Sequence, residues 1–91
     1  MTYVDQVRPL KRPFRRWKFH SHLFADTIEE LHQFAARLFK LRRSKSWFQP
    51  GPIPHYDLSR MQRNRAVKLG AVPIATKDFI KMWRKAHGSQ G

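Results

Sequence analysis

A chain of 91 residues is shorter than the usual domain of roughly 100–150 residues, so we expect one domain with a small core. It carries 19 Lys and Arg against 6 Asp and Glu, a formal net charge of +13, and it has no cysteine. This composition excludes disulfide bridges and thiolate metal sites, and no run of about 18 apolar residues is present to span a membrane.

The charge predicts a polyanionic partner, because a surface this basic repels itself and a nearby polyanion relieves that repulsion. Nucleic acid, either DNA or RNA, is the partner we expect first. An acidic host protein or a ribonucleoprotein is one alternative, and a basic protein with no polyanionic partner is another. The lack of cysteine is typical of a reducing compartment and the first residues show no secretory signal, so we expect a cytoplasmic protein.

The first quarter of the chain predicts two strands separated by a basic arm. Residues 3–5 can start a short strand, and residues 18–25 alternate as a second strand that can be covered on both sides. Between them lies the basic arm, residues 8–18, with the sequence RPLKRPFRRWK. Pro9 and Pro13 forbid a regular helix there, so we expect an exposed arm or loop.

Three later segments have helical spacing of apolar residues, at 26–39, 59–69 and 77–87. Their candidate N-caps are Asp26 or Thr27 for the first, Asp57 or Ser59 for the second, and Thr76 for the third. Ile28 and Met61 are counted among the inward-facing residues, Gly70 is expected to end the second helix, and residues 88–91 are expected to be frayed. The pattern predicts a small α+β domain over residues 1–91, with about three helices on a short sheet of two to four strands.

Basic residues fall into four clusters, in the arm, in the connector after the first helix, and on the second and third helices. Arginine outnumbers lysine, and its planar fork matches phosphate oxygens. We expect the following residues to contact nucleic acid: Arg8, Lys11, Arg12, Arg15, Arg16, Lys18, Arg42, Arg43, Lys45, Arg60, Arg63, Lys81, Arg84 and Lys85. Phe14, Trp17 and Trp47 lie near these clusters, where each is either a stacking platform for a base or a core residue.

A second group of polar residues has the chemistry of a catalytic or metal site. His20 and His22 point the same way on a strand, and His55 and Asp57 do so in a later extended segment. Together with Asp5 they can hold a divalent metal or supply a general acid and base. Their spacing matches no metal motif, and each has a plain structural alternative: Asp57 as a helix cap, His55 as a buried hydrogen-bonded residue, and His20 as a phosphate contact.

Five segments in this order resemble a family of small bacterial and phage proteins of unknown function. They are Y-V-D at residues 3–5, H-x-x-A-D-T-x-E-E-L-H-x-x-A at 22–35, W-F-Q at 47–49, H-Y-D-L at 55–58 and R-A-V-x-x-G-A-V at 65–72. The resemblance implies that Asp5, His22, His55, Tyr56 and Asp57 are family positions, and it implies a bacterial or phage origin. Gln6 departs from the family pattern, which often has a second acid there.

Three functions follow from these features. The first is a non-enzymatic nucleic-acid-binding protein that contacts the phosphate backbone, with no cofactor. The second is a phage effector that binds and modulates an acidic host protein or ribonucleoprotein. The third is a metal- or histidine-dependent hydrolase of nucleic acid or nucleotides, with candidate catalytic residues His22, His55, Asp57, Asp5 and Tyr56; it requires His22, His55 and Asp57 to converge in the fold.

Overall fold

The structure, a computed structural model, describes residues 1–14, 17–39 and 48–87, and for residues 8–14 and 17–19 it describes the backbone alone. Within these ranges the elements in chain order are β1 (Thr2–Val4), β2 (Arg8–Phe14), β3 (Trp17–Ala25), α1 (Ile28–Phe39), β4 (Phe48–Gln49), β5 (His55–Leu58), α2 (Arg60–Lys68), β6 (Val72–Pro73) and α3 (Thr76–His87). The predicted α+β class is confirmed, and three helices pack on a mixed sheet in the described part of the chain.

The sheet has the strand order β4-β5-β3-β1-β6, and β2 pairs separately with β3. The β1–β6 pair is parallel, and the other pairs are antiparallel. The described sheet therefore holds six strands, more than the two to four predicted from sequence. The count is higher partly because Arg8–Phe14, in the segment expected to be an exposed arm or loop, form the strand β2.

The basic arm is not a loop along its described length. Its first part forms β2, which pairs antiparallel with β3 through Arg8 opposite His20 and Pro9 opposite Phe19, with a shift of register before Phe14. Proline lacks the backbone N–H, but edge strands and bulges tolerate it, so the two prolines exclude a helix without excluding a strand. Whether this segment acts as a nucleic-acid-binding arm stays a prediction.

The starts of α1 and α2 follow the predicted capping residues. Thr27 Oγ1 accepts a hydrogen bond from the Glu30 amide at 3.2 Å, and Ser59 forms a complete capping box with Gln62. Because Ser59 caps α2, the Asp57 side chain is left for another role. Gly70 has a φ of 114°, as expected for a glycine that ends a helix. No helix in the described ranges is long and apolar enough to cross a bilayer.

Helices cover both faces of the central strand β3. On one face, Leu23 and Ala25 pack with α1, α2 and neighbouring strands; on the other, Phe24 packs with Tyr3 and with Phe79 of α3. Two predicted core residues are wrong: Ile28 is 41% exposed and Met61 is 77% exposed, since each lies in the first turn of its helix. His22 lies on the same face of β3 as Phe24, and its side chain is partly accessible.

Candidate functional site

His22, His55 and Asp57 meet on the face of the sheet that α3 covers only in part. Residue 22 of β3 lies directly opposite residue 57 of β5 in the antiparallel register. His55 precedes Asp57 by two residues on β5, so strand alternation turns both side chains to the same face. One ligand atom from each of the three residues lies within 4.8 Å of the others, and all three side chains are partly accessible.

Both imidazole rings are oriented by hydrogen bonds at their Nδ1 atoms. His22 Nδ1 lies 2.8 Å from Asp5 Oδ2, and His55 Nδ1 lies 3.0 Å from the main-chain oxygen of Ile53. A carbonyl oxygen only accepts, so the Ile53 contact requires a hydrogen on His55 Nδ1. The Nε2 atoms are thereby turned toward Asp57 Oδ1, at 3.8 Å from His22 and 3.7 Å from His55.

The Asp57 carboxylate divides its two oxygens between the site and a neighbouring strand. Asp57 Oδ2 accepts a hydrogen bond of 3.4 Å from Gln49 Nε2 on β4. Oδ1 is the oxygen that faces the two histidines. Gln49 therefore has the geometry of a residue that holds the carboxylate in place.

Asp5 is fully buried behind His22 and is held on several sides. Its carboxylate accepts from the His22 amide at 2.6 Å and from Thr76 Oγ1 at 2.7 Å, in addition to the contact with the imidazole. Burial by itself raises the pKa of Asp5, but hydrogen bonds from His22 and Thr76 together with the charge of His22 outweigh it and lower the pKa below its ordinary value. Asp5 is therefore ionised at neutral pH and accepts the proton of His22 Nδ1.

When both imidazoles are neutral, three acceptor atoms converge with no donor between them among the described residues. In a neutral imidazole whose Nδ1 carries the proton, Nε2 offers only a lone pair, and Asp57 offers a carboxylate oxygen. The lone pairs of the two Nε2 atoms and of the carboxylate oxygen repel one another, and protons or a bound cation would offset this repulsion. Ligands at about 2.0–2.2 Å from a tetrahedral zinc ion are roughly 3.3–3.6 Å apart. The distances of 3.8 and 3.7 Å to Asp57 are slightly longer than this, and the ligand atoms of the two imidazoles lie within 4.8 Å of each other.

We expect replacement of Asp5 by Asn to lower the free energy of unfolding by about 2–3 kcal/mol at pH 7, because several buried donors lose a charged acceptor. The lowered pKa of Asp5 means that its contribution is fully present above about pH 4, the unfolded value, and is lost as the pH falls through the folded value. Urea titrations at pH 7 and pH 3 measure both effects. Asp78→Asn, which alters an exposed acid, is the control, and equal stability of the two variants at pH 7 would contradict the assigned role.

Other candidates from the sequence lie around or away from this cluster. The ring of His20 is edge-on to His22, with centroids 5.1 Å apart, and its Nδ1 is buried without a hydrogen-bond partner in the described part of the chain. Tyr56 lies on the opposite face of β5, where its hydroxyl is 2.7 Å from Nδ1 of His32. The structure thus brings His22, His55, Asp57 and Asp5 together and places Tyr56 apart from them.

The predicted phosphate-binding residues are described only in part. Lys81, Arg84 and Lys85 are exposed on α3, and Arg60 is exposed on α2. Arg63 donates from Nε to the main-chain oxygen of Asp5 at 2.7 Å, which ties α2 to the strand that leads into the site. Arg15, Arg16, Arg42, Arg43 and Lys45 lie outside the described residues, as do Trp47 and residues 88–91; only the backbone is described for Arg8, Lys11, Arg12, Phe14, Trp17 and Lys18.

Sequence reasoning missed two residues that support the cluster. Thr76 was assigned as the cap of α3, but it is the first residue of that helix, and its hydroxyl binds Asp5 across 71 positions of sequence. The prolines after Gln49 predict a turn or extended loop over residues 49–54, with no role for Gln49, whereas its side-chain amide contacts Asp57. Neither contact has a local sequence pattern, because both depend on long-range pairing of elements.

Fold and site together define a small α+β protein with two histidines and a carboxylate converging on one sheet face. The chain belongs to the family described as protein of unknown function (DUF4031), whose model matches residues 2–86. No curated protein and no solved structure matches the chain. The resemblance to a family of unknown function is thus confirmed, and the family description names no activity.

Proposed function

We propose that this protein holds a divalent transition-metal ion at His22, His55 and Asp57 and hydrolyses phosphate ester bonds of nucleic acid or nucleotides. The observation that carries the proposal is the convergence of two Nε2 atoms and one carboxylate oxygen within 4.8 Å. Two imidazoles and one carboxylate form a donor set used by catalytic zinc sites, which keep a further position open.

The surroundings of the two histidines support a metal site over a chance cluster. Metal-binding histidines usually donate the other ring N–H to a carboxylate or a backbone carbonyl, which fixes the ring and its tautomer. His22 has such a contact with Asp5, and His55 has one with the Ile53 carbonyl. Both contacts leave the same atom, Nε2, directed at the same carboxylate.

The net charge of +13 supports a substrate that carries phosphate. A bound divalent ion lowers the pKa of water and polarises a phosphoryl oxygen. In hydrolysis, the water oxygen forms a bond to phosphorus and the bond from phosphorus to the leaving oxygen breaks. Water loses a proton to solvent and the leaving oxygen gains one. The chain's own residues orient the reacting groups, with Asp5 and Gln49 holding two of the metal-binding side chains.

A second candidate is a nucleic-acid-binding protein without catalysis. It is favoured by three exposed basic side chains on α3, which contribute to the high net charge: Lys81, Arg84 and Lys85. Phosphate contacts by such residues predict an affinity that falls steeply with salt and is independent of metal. Both candidates assume a cytoplasmic protein in a bacterial host, where nucleic acid is abundant.

The test is incubation of the purified protein with end-labelled single-stranded DNA, single-stranded RNA and duplex DNA, in Zn²⁺ or Mn²⁺ and in EDTA. We expect cleavage of at least one substrate with metal, loss of cleavage in EDTA, and recovery when metal is returned. Cleavage at the same rate in EDTA would indicate acid–base catalysis by the histidines. Metal-independent binding without cleavage would support the second candidate instead.

A further inference from the structure

A small apolar pocket opens beside the histidine–aspartate cluster and shares two residues with it. The cavity has a volume of about 300 Å³ and is lined by His22 and His55 together with Phe24, Ile53, Thr76 and Ile80 and the Gly51–Pro52 turn. Its walls are almost entirely apolar, apart from the edges that the cluster supplies. An apolar compartment that shares both histidines with the cluster is the arrangement expected for a substrate with one uncharged part and one charged part.

We propose that this pocket holds a single unpaired nucleobase of the substrate whose phosphate lies at the cluster, an inference that rests on the proposed function. The high positive charge selects a ligand that carries phosphate, and the apolar walls select an uncharged, flat group joined to it. The volume lies at the lower end of the range for small-molecule pockets, roughly 300–1,000 Å³, and suits one heterocycle.

The pocket also determines which form of nucleic acid the site accepts. A base inside a duplex is paired on its edge and stacked on both faces, so it enters such a pocket only after it leaves the helix. The substrate is therefore a nucleotide, a single strand or an unpaired end, and intact duplex is a poor ligand for this site.

The structure offers two independent ways to close the pocket. Ile80 lies on α3, so Ile80→Trp fills the space from the helix. Gly51 lines the pocket from the proline-rich segment, where an added Cβ meets nothing within 4 Å and the backbone is not in the left-handed region, so Gly51→Leu adds a side chain at the pocket wall without a clash. Val67→Trp is the matched control, because Val67 is 37% exposed on α2 and does not line the pocket.

The experiment compares the binding of adenosine 5′-monophosphate and ribose 5-phosphate by calorimetry, since the two ligands share the phosphate and differ by the base. In EDTA, we expect the wild-type protein and Val67→Trp to bind the adenosine ligand about tenfold more tightly or better. We expect this ratio to fall close to one in Ile80→Trp and in Gly51→Leu.

The same ratio separates this inference from the proposed metal site. Asp57→Asn should weaken both ligands in the presence of Zn²⁺ and leave their ratio in EDTA unchanged. Equal affinity of the two ligands for the wild-type protein would overturn the base pocket while leaving the metal site standing. An unchanged ratio in both filled variants would also overturn it. If neither ligand bound, with or without Zn²⁺, both proposals would be overturned.

Discussion

Asp57→Asn is expected to weaken the binding of Zn²⁺ by about a hundredfold or more. The substitution keeps the size of the side chain and its contact with Gln49, but it replaces the anionic oxygen that faces both histidines with a neutral amide. Loss of residues that only orient metal ligands typically costs 10–100-fold in affinity, so loss of a ligand's charge should cost at least the upper part of that range.

Calorimetry of Zn²⁺ binding to the wild-type and variant proteins measures this effect. Asp78→Asn is the matched control, because it makes the same chemical change at an exposed position in the first turn of α3. We expect the control to bind Zn²⁺ like the wild type. Equal affinities in all three proteins would mean that Zn²⁺ binds elsewhere or that Asp57 is not a ligand.

Phe79→Ala is expected to lower the free energy of unfolding by about 3–5 kcal/mol. Phe79 is 1% exposed, stacks on Phe24 with ring centroids 4.3 Å apart, and packs against Tyr3 at 5.4 Å. It is the fully buried residue through which α3 contacts the sheet, so its truncation leaves a cavity at that interface. A domain of this size is typically stable by only about 5–10 kcal/mol, so the loss is a large fraction of the total.

Urea denaturation followed by tryptophan fluorescence gives the free energy of unfolding of this variant. Met82→Ala on the same helix is the control, because Met82 is 40% exposed and its truncation removes little buried surface. We expect a change below about 1 kcal/mol for the control. A similar small change for Phe79→Ala would show that α3 is not held to the sheet by this side chain.

The local features of the fold were readable from the sequence. The first helix has a capping residue, acids in its first turn and apolar residues at helical spacing, and it forms over Ile28–Phe39 as expected. The third helix shows a similar pattern and forms over Thr76–His87. The strand β2 was not predicted: residues 8–18 are expected from sequence to be an exposed arm or loop, but Arg8–Phe14 pair with β3 as a strand, and this pairing is a long-range contact that the prolines and basic residues do not reveal.

The candidate site could be predicted only in part, because some of its geometry is local to one strand and the rest depends on how distant strands pair. Alternation along a strand predicted that His55 and Asp57 share a face, and that expectation needed only local geometry. The approach of His22 depends on the register in which it lies opposite Asp57. That register is set by the burial of Leu23 and Leu58 against the helices, a long-range effect that one sequence does not reveal.

The different role of Tyr56 follows from the same alternation. Its neighbours on β5 face the site, so Tyr56 faces the helices, where it is 3% exposed and its hydroxyl contacts His32. A family pattern of adjacent residues H-Y-D thus contains both site residues and a core residue. Position in a motif alone does not separate these roles.

Titration of the wild-type protein with Co²⁺, followed by visible absorption, tests the central claim most directly, since the spectrum reports both binding and coordination number. The arrangement of His22, His55 and Asp57 predicts saturation at one ion per chain, an intense spectrum typical of four or five ligands, and its loss on addition of Zn²⁺. An unsaturable titration with the weak spectrum of the hydrated ion would contradict a metal site at this cluster.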